Sequence, residues 1–277
     1  MLNMLKNLKA KDYTTLLGTL SGLIAIILAL PPINAYRAAI FVIFLGVFLD
    51  LLDGYVARKM GEFNAFGVQL DSLNDAFVFG VAPAIIAYLI YTQPITDMEL
   101  TGLPPIIMII ASFILIAGGI VRLAWFNLSE NSSEYVGVPI PTTASVLGLL
   151  MLADYFAFVI ANRPLASGSS IPTWFNIIMQ WVIPLSMVAL AWMNTTSHLV
   201  FGKVFRKKSG YVRYIFVTIA ILLLVMLVLM IFWREEAAVV ILILILFYLG
   251  LFTWFITVGV RTAREKERAK KISNIST

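Results

Sequence analysis

Eight apolar stretches run along most of the chain, separated by short breaks that are polar or contain proline and glycine. A helix needs about 20 predominantly apolar residues to cross the hydrocarbon core of a bilayer. The pattern therefore predicts an all-α fold, a polytopic membrane helix bundle of about eight transmembrane helices at 13–30, 38–57, 68–91, 104–126, 138–161, 174–193, 212–233 and 237–260. Ahead of the first span, residues 1–12 predict an amphipathic segment that is retained, because no small-residue cleavage pattern follows it.

The composition agrees with a membrane protein and narrows its chemistry. Of 277 residues, 61% are hydrophobic and 13% charged, and the mean hydropathy is +0.94. The chain contains no cysteine and a single histidine, His198. This excludes disulfides, cysteine nucleophiles and cysteine metal sites, and it leaves acid–base chemistry at a carboxylate cluster to aspartate.

The basic residues are distributed unevenly about these spans. Seventeen of the 20 lysines and arginines fall on the side that holds the N-terminus, and the exceptions are Arg37, Arg163 and Arg234. Because cytoplasmic loops are enriched in Lys and Arg, we expect both termini on the cytoplasmic side of the cell membrane. The net charge of +5 then reflects orientation and contact with anionic lipid, and it does not indicate nucleic acid binding.

Four aspartates interrupt the apolar pattern at the cytoplasmic ends of the second and third predicted helices. Asp50 and Asp53 are three residues apart and Asp71 and Asp75 are four apart, so each pair lies on one helical face. An aspartate inside a membrane helix costs roughly 2.5–3.5 kcal/mol, and four close together repel one another. Two divalent cations would balance the four charges, and hard oxygen ligands favour Mg²⁺ or Mn²⁺.

Several small or polar residues lie at the same level of the membrane. Thr14 and Thr15 begin the first helix, where they either bond a ligand or cap the helix. Gly54 and Ala57 permit close approach of a planar group or of a neighbouring helix. Arg58 suits an anionic oxygen but also fits a positive-inside anchor.

The fourth span supplies two further candidates near its cytoplasmic end. Arg122 lies five positions inside the edge, so it requires an anionic partner, either a substrate group or an aspartate. Asn127 precedes a polar loop that either holds a small polar substrate or is a solvated connection. Asp154 lies toward the opposite side of the membrane, away from the cluster.

Two metal ions with nearby arginines and no nearby histidine suit phosphoryl transfer on a metal-bound pyrophosphate. The position of the aspartate cluster at a membrane surface suits a substrate with a lipid tail. The alternative from another class is a cation transporter that uses the aspartates as its ion site. Transporters tend to place such sites at the bilayer midplane between repeats, and no repeat is apparent in this sequence.

The pattern D-x-x-D-G-x-x-A-R, eight residues, then G-x-x-x-D-x-x-x-D resembles the signature of the CDP-alcohol phosphatidyltransferase family. All eight fixed positions are present, namely Asp50, Asp53, Gly54, Ala57, Arg58, Gly67, Asp71 and Asp75. The resemblance implies that the four aspartates hold two metal ions and that Asp75 also takes the proton from the acceptor hydroxyl. It implies CDP-lipid contacts at Thr14, Thr15, Asp50, Asp53, Gly54, Ala57, Arg58, Asn64, Gly67 and Asp71. Asn64 stands where many relatives have Ser or Thr, so a hydroxyl contact there becomes an amide contact or is absent.

Three segments, D-S-L-N-D-A-F-V-F-G-V-A-P-A, V-R-L-A-W-F-N and G-V-P-I-P-T-T, look like the phosphatidylserine synthase branch. That resemblance, over roughly residues 11–160, implies attack of the L-serine hydroxyl on CDP-diacylglycerol, or on CDP-archaeol in an archaeal relative, with release of CMP. It implies acceptor binding by Arg122 and Asn127, and a homodimer. Glycerol 3-phosphate or an inositol phosphate stays open as another acceptor.

The expected division of the chain follows the family resemblance. Residues 13–200 form the CDP-alcohol phosphatidyltransferase transmembrane domain, 201–260 two additional transmembrane helices, and 261–277 a basic cytoplasmic tail.

Overall fold

The computed structural model describes residues 8–60, 65–92, 103–128, 135–161, 173–201, 225 and 237–275. Apart from Val225, these residues form seven helical stretches. They are α1 Ala10–Ala29, α2 Tyr36–Met60, a composite third stretch, α5 Pro105–Leu128, α6 Ile140–Ala161, α7 Thr173–Thr195 and α8 Ala238–Ile275. The composite stretch consists of α3 Ala65–Asp75, a π-helical segment Ala76–Val81 and α4 Ala82–Thr92. Two short strands, β1 Tyr135–Val136 and β2 Val200–Phe201, pair antiparallel.

The prediction of an all-α polytopic membrane bundle is confirmed. Within the described residues, six helices are long and apolar enough to cross a membrane: Asp12–Ala29, Ala65–Thr92, Pro105–Leu128, Ile140–Ile160, Ile178–Thr195 and Ala238–Glu265. The described residues contain about seven helical stretches, whereas eight were predicted for the whole chain. The predicted span 212–233 lies outside the described residues except for Val225.

Helix α6 lies at the centre of the bundle. It packs against α2, α4, α7, α8 and the π-helical segment, and its fully buried side chains include Leu147, Leu152 and Phe156. Helix α8 lies at the edge, since only 17% of its span is buried against 61% for α6. Apolar residues are found on nearly every face of these helices, as expected where the surroundings are lipid.

The π-helical segment begins directly after Asp75. Its register is visible at its end, where the Ala82 N–H donates to the carbonyl of Phe77, five residues earlier. Pro83 follows, and a proline inside a helix lacks the N–H and crowds the carbonyl four residues before it. The helical register thus changes over six residues that end two residues before Pro83.

A polar group inside the bundle lies far from the aspartate cluster. The Tyr91 hydroxyl donates to Asp154 Oδ2 at 3.0 Å, and the Arg37 guanidinium lies 4.7 Å from the ring centroid of Tyr155. Tyr91 follows Asp71 by 20 residues, which is roughly 30 Å along a helix. Asp154 therefore belongs to the opposite end of the bundle, as predicted.

Gly137 directly follows β1, at a point where the backbone approaches both the residue before β2 and the end of α7. Its φ of +73° is a conformation that residues with a side chain rarely adopt. The Gly137 N–H donates to the Leu199 carbonyl at 2.9 Å, and the Val138 N–H donates to the Met193 carbonyl at 3.0 Å. A Cβ at position 137 would collide with the backbone carbonyl of Asn194, so only glycine fits.

We expect Gly137→Ala to lower the free energy of unfolding by about 1–3 kcal/mol, because it combines a strained φ with this collision. The measurement is the thermal unfolding midpoint of the purified protein in detergent. Gly250→Ala is the matched control, since a Cβ at position 250 in α8 meets nothing within 4 Å. Equal midpoints for the two variants would contradict the role given to Gly137.

Candidate metal and substrate site

Three of the four signature aspartates converge. Asp50 in the second half of α2 and Asp71 and Asp75 on α3 each offer a carboxylate oxygen, and these atoms all lie within 4.8 Å of one another. All three side chains are half-buried. Asp71 and Asp75 lie one turn apart on a single face of α3, and α2 brings Asp50 to that face. The acidic faces of the two helices therefore meet at these residues.

For the remaining signature positions of α2, the structure describes the helical backbone. Position 53 follows Asp50 by three residues in the same helix. The side chains of residues 51–60 lie outside the described part of the structure, among them those of Asp53, Gly54, Ala57 and Arg58. Asn64 also lies outside the described residues, whereas Gly67 is buried on α3.

Helix α1 is fixed to α3 beside the cluster. The Thr19 hydroxyl donates to Asn74 Oδ1 at 2.8 Å, and a Cβ at Gly18 would approach the Asn74 amide to 3.2 Å. Asn74 immediately precedes Asp75 and is buried. Thr15, one turn before Thr19, is buried as well, so the start of α1 lies against the helix that carries two of the aspartates.

Helix α5 contacts the other side of α3 through a small polar cluster, which we call the Asn127 cluster, made of Gln69, Ser72 and Asn127. The Ser72 hydroxyl lies 3.1 Å from Asn127 Oδ1 and 3.0 Å from Asn127 Nδ2. Asn127 Nδ2 also donates to Gln69 Oε1 at 3.3 Å. Since Ser72 directly follows Asp71, Asn127 lies next to the acidic helix.

Arg122 lies on the same helix as Asn127 but five residues earlier. Its guanidinium carbon is 5.8 Å from the ring centroid of Phe126, and the side chain is half-buried. The stacking distance is within the range of a cation–π contact. Of the two predicted acceptor residues, Asn127 thus contacts α3 directly, whereas the contact described for Arg122 is with its own helix.

Sequence reasoning did not select four residues that build the site: Thr19, Gln69, Ser72 and Asn74. Gln69 and Ser72 are three apart, which places them on one helical face, and this spacing was a usable signal. Their pairing with Asn127, 55 residues from Ser72, depends on how α3 and α5 pack. Thr19 and Asn74 are likewise 55 residues apart.

The converged carboxylates can hold a divalent cation. Three like charges this close in a largely apolar bundle repel one another unless a cation compensates them. The ligands that converge are carboxylate oxygens, the donor set that Mg²⁺ and Mn²⁺ prefer. The three described side chains, with oxygens within 4.8 Å, therefore fit a hard divalent metal ion.

Comparison with known proteins identifies relatives of this chain. A family model described as CDP-alcohol phosphatidyltransferase matches residues 12–192. A CDP-diacylglycerol–serine O-phosphatidyltransferase of Methanocaldococcus jannaschii is 37% identical over 193 residues, which cover 68% of this chain and 85% of that protein. A protein of the same name from Saccharomyces cerevisiae is 38% identical over 164 residues, covering 53% and 55%. An archaetidylserine synthase of Methanothermobacter thermautotrophicus is 34% identical over 149 residues, covering 53% and 59%.

The region matched by the family model includes α1, α2, α3 and α5, the helices that build the site, as well as the complete aspartate signature. This membrane-embedded chain with its acidic cluster belongs to the CDP-alcohol phosphatidyltransferase family.

Proposed function

We propose that this protein is a CDP-diacylglycerol or CDP-archaeol serine O-phosphatidyltransferase. The observation that carries the proposal is the convergence of Asp50, Asp71 and Asp75 at one point between α2 and α3. The names of the relatives from the three organisms support serine as the acceptor.

In the proposed reaction, the hydroxyl oxygen of L-serine attacks the lipid-side phosphorus of the CDP-lipid. The bond between that phosphorus and the bridging oxygen breaks, and CMP leaves with the bonding electrons. Asp75 accepts the proton of the serine hydroxyl, a role that suits a carboxylate within reach of the reacting atoms. The one histidine, His198, lies on the turn after α7, whereas the titratable groups that converge at the site are aspartates, so we take an aspartate as the base.

Asp50, Asp53, Asp71 and Asp75 would hold two divalent cations, Mg²⁺ or Mn²⁺, in the proposed site. When bound, such ions supply Lewis-acid stabilisation of the pyrophosphate charge and of the attacking oxygen. The aspartates themselves would set where the pyrophosphate lies, because α2 and α3 bring carboxylates to one point. Positioning and charge stabilisation are the main contributions a protein makes to phosphoryl transfer.

The CDP-lipid would lie along the cytoplasmic end of α2. Gly54 and Ala57 leave room for the CDP moiety, Gly67 adds space on α3, and Arg58 would contact a phosphate. Thr14 and Thr15 at the start of α1 would contribute hydroxyls from the opposite side. Asn64 would offer an amide where many relatives have a hydroxyl.

Serine would bind beside α3 and α5, next to Asn127 and Arg122. In the structure, Asn127 is oriented by Ser72 and Gln69. Ser72 is thus proposed as a positioning residue that acts through Asn127. Arg122 supplies the positive charge in this region that suits the serine carboxylate.

The proposal includes the arrangement in the cell membrane. Both termini and the active site face the cytoplasm, as the distribution of 20 lysines and arginines favours. The transferase domain comprises residues 13–200, preceded by the amphipathic segment 1–12 and followed by two further helices in 201–260 and the basic tail 261–277. The family resemblance favours a homodimer.

Loss of the base should abolish turnover. Asp75→Asn is expected to lower kcat by about 10²–10⁴-fold, because an amide cannot accept the proton. The measurement is CMP release from a CDP-lipid in the presence of L-serine. Asp154→Asn is the matched control, since it makes the same change at the opposite end of the bundle and should leave turnover near the parent value. Near-normal turnover by Asp75→Asn would refute the assignment of the base.

Metal removal and acceptor exchange test the reaction itself. We expect purified protein with Mg²⁺ or Mn²⁺ to release CMP and to incorporate labelled L-serine into lipid, and both signals should vanish with EDTA. CMP release with glycerol 3-phosphate or inositol phosphate, but not serine, would overturn the acceptor while keeping the family chemistry. Metal-dependent cation uptake by liposomes without CMP release would favour a transporter instead.

Ser72→Ala should weaken acceptor binding more than chemistry. Losing one hydrogen bond, about 0.5–1.5 kcal/mol, predicts a rise of roughly two- to tenfold in KM for serine. The KM for the CDP-lipid and kcat should change less, and full kinetics with each substrate varied would measure this. Ser186→Ala is the control, because Ser186 bonds the Ile183 carbonyl within α7. Equal changes in both KM values would contradict the positioning role.

A further inference from the structure

We propose that a second site, formed by His198 and Arg264, binds the phosphate of an anionic phospholipid head group. This site involves neither the aspartate cluster nor the Asn127 cluster, and the proposal does not depend on serine being the acceptor.

The site is a cavity of about 190 Å³ where α8 passes the turn between α7 and β2. His198 on that turn and Val260, Ala263 and Arg264 on α8 line it. The turn is held in place, because the His198 N–H donates to the Thr196 hydroxyl at 3.3 Å. Leu199 is buried beside it and packs with Val138, Val260 and Ile256.

The polar side chains that line the cavity, His198 and Arg264, suit a phosphate-bearing anion. A guanidinium presents a planar set of N–H donors that matches phosphate oxygens, and an imidazole adds a further N–H donor. Arg261 and Arg268 are exposed on the same helix, three residues before and four after Arg264, which places them near the same face. Their positive charge would attract an anion toward the cavity.

The position of Arg264 along α8 favours a lipid as the source of that phosphate. The apolar span of α8 runs from Ala238 to Glu265, so Arg264 lies at the end of the membrane-crossing part. Lipid head groups lie at this level, and basic residues there attract anionic lipid. The walls of the cavity also suit a lipid, because Val260 and Ala263 are apolar while His198 and Arg264 are polar.

Backbone hydrogen bonds connect the site to the pair of short strands. The Leu199 carbonyl, one residue after His198, accepts from Gly137 at 2.9 Å. The paired strands then join Val200 to Val136. A head group bridging His198 and Arg264 would hold α8 against this turn and thereby stabilise the strand pair.

The single histidine makes the test direct. The full chain, purified without a histidine tag and labelled with ¹³C-histidine, is placed in phosphatidylcholine nanodiscs. The imidazole signal of His198 is then followed by NMR during titration with short-chain phosphatidic acid, with inorganic phosphate, or with short-chain phosphatidylcholine. We expect a saturable shift with phosphatidic acid, a much weaker response to inorganic phosphate, and none with phosphatidylcholine.

Two arginine variants distinguish binding in the cavity from attraction by the positive charge of α8 in general. Arg264→Gln should weaken phosphatidic acid binding about tenfold, as expected for a lost charge-assisted hydrogen bond. Arg261→Gln removes the same charge from α8 outside the cavity lining and should change the affinity less than Arg264→Gln.

If the two variants weakened phosphatidic acid binding equally, or if the shift of the His198 signal never saturated, the proposed site would be wrong. Equal affinity for inorganic phosphate and phosphatidic acid would overturn the lipid as its ligand.

Discussion

Three carboxylates held within 4.8 Å of one another in a mostly apolar bundle are the constraint on which the rest of this structure depends. Their mutual repulsion and their loss of hydration both oppose the arrangement. A bound divalent cation reverses this balance, because it turns repelling charges into ligands. Helices α2 and α3 must therefore be fixed well enough to keep the carboxylates together before a cation binds.

The helices around α3 supply that fixation. Asn74 bonds Thr19 of α1 on one side of the acidic face, and Ser72 bonds Asn127 of α5 on another. Both contacts are made by residues adjacent to a carboxylate-bearing position. A change in the packing of α1 or α5 would thus move Asp71 or Asp75, which is the physical reason to expect effects on catalysis from residues that do not touch the metal.

The carboxyl groups at the two ends of the bundle have different neighbours. At one end, the carboxylates of Asp50, Asp71 and Asp75 are gathered at one point. At the other end, Asp154 is paired with the Tyr91 hydroxyl, and Arg37 lies over Tyr155. The first arrangement concentrates negative charge and favours a cation, whereas the second gives one carboxylate oxygen a neutral hydrogen-bond donor. This contrast supports placing the chemistry at the first end alone.

The sequence by itself determined the membrane class, nearly all of the helices and the acidic signature, because each of these is a local property. Apolar runs of spanning length specify helices, and aspartates three or four residues apart share a face whatever surrounds them. The tertiary structure decided which distant residues meet. The pairing of Asn127 with Ser72, the contact of Asn74 with Thr19 and the cavity between His198 and Arg264 all depend on how helices pack. The π-helical segment after Asp75 was also not evident from the sequence. Helix packing in lipid is set by close fit between surfaces rather than by the apolar pattern, which is similar on every face.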